Sequence, residues 1–593
     1  MAAPGYFASN SSSLFNTCKR LLLVSSAFLL TLGFSGCGQN NSTNSDEIQV
    51  VTAAPSNNEN SENTSEDSMD NPPSNEEKVT IKLGLMSGVN SYVVTHLMDS
   101  NDTNDSYEKY EFIQGQQIKE EERPAFHITP YVGWMNDPNG FSYYKGEYHL
   151  FYQYNPYSTH WDSMHWGHVV SKDLLHWNYV PTALAPDEDY DKFGCFSGSA
   201  IELEDGRQLL MYTSVNQEKL EDGTVRDIQT QAVAVGDGKD YEKYDKNPVL
   251  TAKDLPKGAS KVDFRDPKIW KGNDGNFYCV IGSRPADGSG QILLYRSKNG
   301  FEWEFVSILA KNQNRYGKMW ECPDFFELDG KYVLLTSPQD MLPEGLEFHN
   351  GNGTLCIIGE LDPETHTLKE QFCQGVDYGI DYYAMQTLLA PDGRRIMIAW
   401  MQNWDTLAYR CNDSGWFAQM SLPRELSVKN GRLYQVPIRE LNAMRANKVE
   451  YNNVVIKDTR LTLDQIEGRT VDLELVIRPA DKDNLYKKFE LCFAENEKYH
   501  STLCFRPDES VLKIDRKFSG SERALVHQSS CLVNGDSNEL KLRVILDKFS
   551  VEVFINDGEQ VMSAVILTKQ EAKGISFFAD GAVKLDIVKY DLL

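Results

Sequence analysis

Three observations predict an all-β chain, a five-bladed β-propeller followed by a C-terminal β-sandwich. Five tight-turn pairs recur at a near-constant spacing. Strand-like runs flank each pair. From about residue 450 onward, short alternating strands follow one another without long helices.

The turn pairs are Lys145-Gly146, Asp205-Gly206, Asp274-Gly275, Asp329-Gly330 and Asp392-Gly393, with successive glycines 60, 69, 55 and 63 residues apart. The runs that follow them, EYHLFYQY, RQLLMYTS, NFYCVIGS, KYVLLTSP and RRIMIAWM, are apolar or alternating. Glycine readily takes the positive φ that a tight hairpin turn requires. QTQAVAVG, QILLYRS and TLCIIGE supply further strands within their periods. About four strands per period is the arithmetic of a propeller blade, so five periods predict five blades around a channel.

Nine residues before the turn glycines stand Asp137, Ser197, Asp266, Glu321 and Ala384. Equivalent positions of successive blades converge near the propeller axis. Three acids at one offset, each in a polar cluster (Asn136-Asp137-Pro138, Arg265-Asp266-Pro267, Glu321-Cys322-Pro323), therefore predict a carboxylate site at the channel mouth. A lone strand-end Asp is an ordinary turn residue; the shared offset argues otherwise.

Length and charge narrow the class. A chain of 593 residues suits two folded domains plus extensions. With 24% charged and 41% hydrophobic residues it has a globular balance, and its net charge of −27 argues against nucleic acid or an anionic membrane surface as partner. The 11 cysteines include no Cys-x-x-Cys pair, so neither a zinc site nor a disulfide framework is indicated. His165-x-x-His168 lacks a third ligand in register and is read as hydrogen bonding or packing. No metal and no cofactor are expected.

Residues 1–37 read as a signal peptide. Lys19-Arg20 precede the apolar run LLLVSSAFLLTLGF, and Ser35-Gly36-Cys37 resembles the lipobox of bacterial lipoproteins, which makes Cys37 the expected lipidation site. The run is short for a membrane span. Residues 38–78, rich in Asn, Ser, Glu, Asp and Thr, bury too little to offset their ordering entropy and are expected to form a disordered acidic tether. The chain is thus expected to be exported and lipid-anchored at the outer face of a bacterial cell membrane, with plain secretion the alternative, and to touch membrane only through that anchor. Residues 79–122 form an N-terminal extension to which the sequence assigns no role. The propeller is expected over 123–436, a linker helix (IRELNAMRAN) within 437–449, and the sandwich over 450–593.

Two carboxylates in different settings are the minimum for glycoside hydrolysis: one supports or attacks the anomeric carbon, the other protonates the leaving oxygen. Asp137, among Asn136, Asn139 and turn backbone, is expected to stay ionised. Asp266 beside Arg265 is expected to stay charged. Glu321, between Trp320 and Cys322-Pro323, has the less polar setting that favours a protonated acid. Trp134, Trp161, Trp166, Phe196, Trp320, Trp400 and Trp404 crowd the same strand ends, and rings suit the apolar faces of sugars.

The motifs WMNDPNG (134–140), FSGSA (196–200), FRDPK (264–268), WECPD (320–324), DYYAMQ (381–386), LPREL (422–426) and SVEVFINDG (550–558) together resemble glycoside hydrolase family 32, the β-fructofuranosidase, invertase, levanase and inulinase group. The resemblance spans roughly residues 124–593 and implies the same propeller and sandwich. It implies Asp137 as nucleophile, Glu321 as general acid/base and Asp266 as transition-state stabiliser of a retaining reaction. It also implies that Trp134, Asn136, Gln153, Trp161, Phe196, Ser197, Arg265 and Trp404 line the fructosyl pocket. The expected activity is release of terminal β-D-fructofuranosyl residues from sucrose and short fructo-oligosaccharides. Exo-action on longer levan or inulin, fructosyl transfer and non-catalytic sugar capture are the competing readings. The partner is a small sugar or fructan, and the sequence says nothing of oligomeric state.

Overall fold

The computed structural model describes the backbone of residues 78–83 and 92–97, then residues 111–593 apart from 112, 286, 410–413, 482–483, 521–524 and 534–538. The expected leader, Cys37 and residues 38–77 of the expected tether lie outside the described residues. In the extension, Lys78–Leu83 pairs antiparallel with Tyr92–Leu97.

Among the described residues, five sheets of at least four strands follow one another along residues 133–437. Their inner strands are Gly133–Tyr144, Cys195–Glu202, Ala259–Lys271, Trp320–Leu328 and Tyr383–Leu389, and each packs on the next until the fifth returns to the first. These are the five blades. Ring closure has its own device. After the second strand of blade 5 the chain crosses to blade 1, where Trp416–Phe417 pairs parallel with Gly133 and Trp134. Met420 N–H donates to Ile128 O at 2.8 Å beside it. All five turn glycines named above have positive φ, from 75° to 87°.

The blade strands read as nearly unbroken apolar runs because both faces of each sheet are covered. In blade 3, Cys279 and Ile281 pack with Leu209, Met211 and Val233 of blade 2. Val280, on the opposite side of the same strand, packs with Phe325 and Leu334 of blade 4. Strand alternation thus assigns successive residues to different inter-blade cores.

The expected linker helix is a six-residue 3-10 helix, Arg439–Met444, and Arg445 already begins a strand that runs to Leu461. Pairing with the long final strand Gly574–Leu592, starting at Arg445 opposite Leu592, satisfies the backbone better than a helix of two turns could. The sandwich therefore starts five residues before the expected position. It is one continuous hydrogen-bonded sheet folded on itself. The first part of Gly574–Leu592 pairs with Lys488–Glu495 and the later part with Val471–Pro479. Leu473, Leu491, Val544 and Phe577 are among the side chains that fill the space between.

The two domains are stitched by backbone and by buried charge. Tyr378 and Ile380 N–H donate to Val561 and Ser563 O at 2.8 and 2.7 Å, so the approach to blade 5 runs as an added strand on the sandwich edge. Arg424 of LPREL, fully buried, bonds Glu552 of SVEVFINDG and Asp377. His127 bridges Asp547 (2.8 Å) and Glu552 (3.1 Å). Arg516 bonds Asp381, which in turn accepts from Thr406. Three of the family-like motifs, LPREL, SVEVFINDG and DYYAMQ, thus serve the domain interface.

Candidate active site

The ladder between inner strand and second strand slips in every blade at the predicted position. The register shifts fall between Met135 and Pro138, Phe196 and Gly198, Arg265 and Lys268, Glu321 and Asp324, and Tyr383 and Gln386. Each brackets or borders the residue nine before the turn glycine. An extra residue there bends the strand and re-aims its side chain. The backbone is forced into the left-handed region at Asp266 (φ 66°), Cys322 (φ 48°) and Ala384 (φ 54°), a cost that clusters at functional sites.

The three acids meet. Ser197 Oγ donates to Asp137 Oδ2 at 2.6 Å and Asn136 Nδ2 to Asp137 Oδ1 at 3.0 Å. Cys322 joins two acids at once: its thiol lies 3.4 Å from Asp137 Oδ2, and its N–H donates to Asp266 Oδ2 at 2.9 Å. Asp266 N–H donates to Thr213 Oγ1 at 2.8 Å. Glu321 accepts from Arg265 Nε and Nη2 on Oε1, at 3.2 and 2.9 Å, and from Tyr383 Oη on Oε2 at 2.6 Å. All five blades therefore contribute directly to a single polar cluster.

Its electrostatics differ from the sequence expectation in three respects. Asp137 was expected to be held ionised by polar neighbours; burial raises its pKa, opposed by the Ser197 hydrogen bond and reinforced by the Glu321 charge. Asp266 was expected to stay charged beside Arg265. Burial instead pushes it up to about 7, against the pull of Arg265 and with the charges of Glu321 and Asp137 adding to the rise. Arg265 stands 4.0 Å from Asp266 because its guanidinium is turned toward Glu321 and Asp263. Glu321, in turn, does not face Trp320. Neighbours on a strand point to opposite sides, and Trp320 is buried between blades 3 and 4 with its indole N–H on Tyr316 O. The carboxylate of Glu321 meets a guanidinium and a phenol.

The remaining predicted pocket residues fall into two groups. Asn136, Ser197 and Arg265 touch the acids directly. Trp134, 1% exposed, donates its indole N–H to Asn136 Oδ1 at 2.7 Å and stacks on Phe417, with Trp404 6.1 Å away. It supports the site from beneath. Trp404 is half-buried against the same cluster. Gln153 donates to Cys195 O at 2.8 Å and so ties blade 1 to blade 2 next to Phe196. Trp161, 38% exposed, meets Phe196 edge-on at 5.7 Å and leaves a ring open to solvent. Trp166, Trp320 and Trp400 are core residues.

His165 and His168 face different partners. His165 Nδ1 contacts Ser163 O at 2.5 Å, and His168 Nε2 contacts His149 Nδ1 at 3.0 Å. Sequence reasoning passed over Cys322, Tyr383 and Asp263. Tyr383 and Cys322 lie one residue from the predicted offset position, a signal that was available. Asp263 precedes the bulge and carried none.

The chain matches the N-terminal domain of glycosyl hydrolases family 32 over residues 127–437 and the C-terminal domain of that family over residues 440–591. It is 36% identical over 458 residues to the raffinose invertase of Escherichia coli, covering 77% of this chain and 92% of that protein. To a sucrose-6-phosphate hydrolase of Escherichia coli it is 36% identical over 462 residues, with 78% and 92% covered. A mutant β-fructofuranosidase of Bombyx mori, solved in complex with sucrose, matches with a TM-score of 0.69 at 34% identity, over 83% of this chain and 99% of that one.

Proposed function

The chain belongs to glycoside hydrolase family 32 and is a β-fructofuranosidase; from that premise we propose that it releases terminal fructose from sucrose and short fructo-oligosaccharides with retention of configuration. Asp137 attacks the anomeric carbon, Glu321 protonates the leaving oxygen, and water activated by Glu321 then frees fructose from Asp137. Asp266 accepts hydrogen bonds from the fructosyl hydroxyls that strengthen in the transition state. The convergence of the three carboxylates through Cys322 and Arg265 carries this reading. Burial and the neighbouring charges raise the carboxyls of Asp137 and Asp266, so the cluster holds a proton more readily than free carboxylates do.

The substrate reading rests on charge as well as on relatives. Among the described residues, the cations Arg265 and Arg284 are each paired with carboxylates, and the three acids leave the cluster anionic. That disfavours a phosphorylated sugar. Rates of fructose release from sucrose, sucrose 6-phosphate, kestose, inulin and levan test it: sucrose and kestose should lead, and a lead for sucrose 6-phosphate would overturn the preference. Methanolysis tests the stereochemistry. Methyl β-D-fructofuranoside is the expected product, and the α-anomer would contradict retention.

Export and lipidation at Cys37 belong to the same reading and are supported by the leader sequence. Cys37→Ser should move the enzyme from the membrane fraction to the soluble fraction; unchanged fractionation would remove the anchor from the account.

A further inference from the structure

Arg265 spans two carboxylates. Besides its two bonds to Glu321, its Nη1 donates to Asp263 Oδ1 at 3.0 Å. The other oxygen of Asp263 accepts from Arg284 Nε at 2.9 Å and lies 2.6 Å from Arg284 Nη2. A row of alternating charge thus runs Arg284, Asp263, Arg265, Glu321. It starts at the rim and ends at the acid. The Arg284 side chain is 34% exposed, whereas those of Asp263, Arg265 and Glu321 are 10%, 10% and 15% exposed. The register agrees: Phe264 pairs with Ser283 and Ala259 with Pro285, so Arg284 sits further along the strand pair than Asp266.

The fold itself makes little use of Asp263. The ladder around it is irregular between Ala259 and Phe264, and the Phe264 N–H is served by Gln229. The Asp263 carboxylate is spent on the two guanidiniums. Its influence on Arg265 therefore bears on the chemistry. A cation bonded to Glu321 favours the ionised carboxylate and opposes the protonated acid that the first step needs. Asp263 draws part of that positive charge away. Arg284 partly neutralises Asp263 and so limits the draw.

We propose that Asp263 and Arg284 are positioning residues that set how strongly Arg265 opposes protonation of Glu321, and hence the alkaline limit of the reaction. This rests on the reading of Glu321 as general acid. The other groups facing Glu321 are the Tyr383 phenol, the Asp137 and Asp266 carboxyls and the Cys322 thiol. Asp263 faces Arg265 and Arg284, and burial there is outweighed by both cations, which hold its carboxyl below the usual range. None of these groups is altered by the test below except the two residues at issue.

The test is the pH profile of kcat/KM on sucrose for wild type, Asp263→Asn and Arg284→Gln. Asp263→Asn should move the alkaline limb down by about 0.5–1 pH unit, because the whole Arg265 charge then falls on Glu321. Arg284→Gln should move it up by a similar amount. The double variant should follow Asp263→Asn, since Arg284 acts only through Asp263. A structural role alone would not shift the limb in opposite directions. Shifts of the same sign, or an unmoved limb in both variants, would overturn the proposal. If Asp263→Asn does not fold, the rim variant Arg284→Gln decides: an upward shift supports the relay, and a limb that stays or falls overturns it. Glu321→Gln run in parallel separates the two claims. Its retained activity would sink the parent reading, whereas its inactivity beside unmoved limbs would sink the relay alone.

Discussion

Asp266 concentrates the chemistry of the site at the scale of a residue. It is 6% exposed, has a left-handed backbone, and receives the Cys322 N–H while donating its own N–H to Thr213. Its carboxyl is pushed up to about 7 by burial, against Arg265 and with the neighbouring acids. An ionised Asp266 is therefore lost as pH falls through neutrality. The acid limb of kcat/KM should lie well above pH 4, and a limb near 4 would contradict the buried-cluster account. Asp266→Asn should lower kcat by about 100-fold or more while changing KM less, since its bonds matter most in the transition state. Near-normal kcat would remove Asp266 from the catalytic set. The identity of the three acids was legible in the sequence because the blade repeat puts them at one offset. Their protonation was not. The side chain of Arg265 leaves its sequence neighbour for Glu321 and Asp263, and only the path of the chain in space decides that.

At the scale of an element, the inner strand of a blade is a device for aiming side chains at the axis. The alternating and apolar runs announce strands, and the turn glycines announce hairpins, so the five blades were readable from spacing alone. The register shifts were not, because an inserted residue leaves no mark in a period-two pattern except a change of phase. Gly198 illustrates how tightly these strands approach. A Cβ there would lie 2.0 Å from Met211 O, with Tyr212 Cα 2.7 Å away, and Gly198 O accepts from Gln386 of blade 5. Backbone atoms cannot yield as a side chain can. Gly198→Ala should displace Ser197 from Asp137 and cut kcat/KM on sucrose by about tenfold or more, the loss of one oriented hydrogen bond to a catalytic group. Unchanged kcat/KM would mean that blade 2 does not hold the nucleophile. The linker makes the same point from the other side: its six-residue 3-10 helix gives way at Arg445 to a seventeen-residue strand that pairs with the last strand of the chain.

At the scale of the molecule, buried histidines set opposing pH limits on stability. Burial lowers His127, but its hydrogen bonds to Asp547 and Glu552 and their charges more than reverse this, raising it to about 9. A raised pKa contributes stability that is full below the unfolded value near 6.5 and is lost as pH climbs toward 9. Burial lowers His149 and His165 to about 4, and lowers His168, which also faces His149. Their contribution is present above 6.5 and fades as pH falls toward 4. The melting temperature should therefore peak near pH 6.5–7 and fall on both sides. His127→Gln should flatten the alkaline fall and leave the acid one, and an unchanged alkaline slope would deny His127 its role. The same bridge, with Arg424, Glu552, Asp377, Asp381 and Arg516, makes the sandwich part of the propeller. The two domains should melt in a single calorimetric transition; two separated transitions would contradict the stitched interface. The sandwich was visible in the sequence as a run of alternating strands, yet nothing in its pattern pointed to a partner for Arg424 more than a hundred residues away.

On the proposed reading, Asp137 and Glu321 convert this propeller into a β-fructofuranosidase. Fructose release from sucrose by the wild-type enzyme, beside Asp137→Ala and Glu321→Ala shown to be folded by circular dichroism, tests it most directly. Release by wild type with loss of at least about 10³-fold in both variants is the predicted result. Sucrose turnover by either variant at a rate near wild type would contradict the assignment of the site.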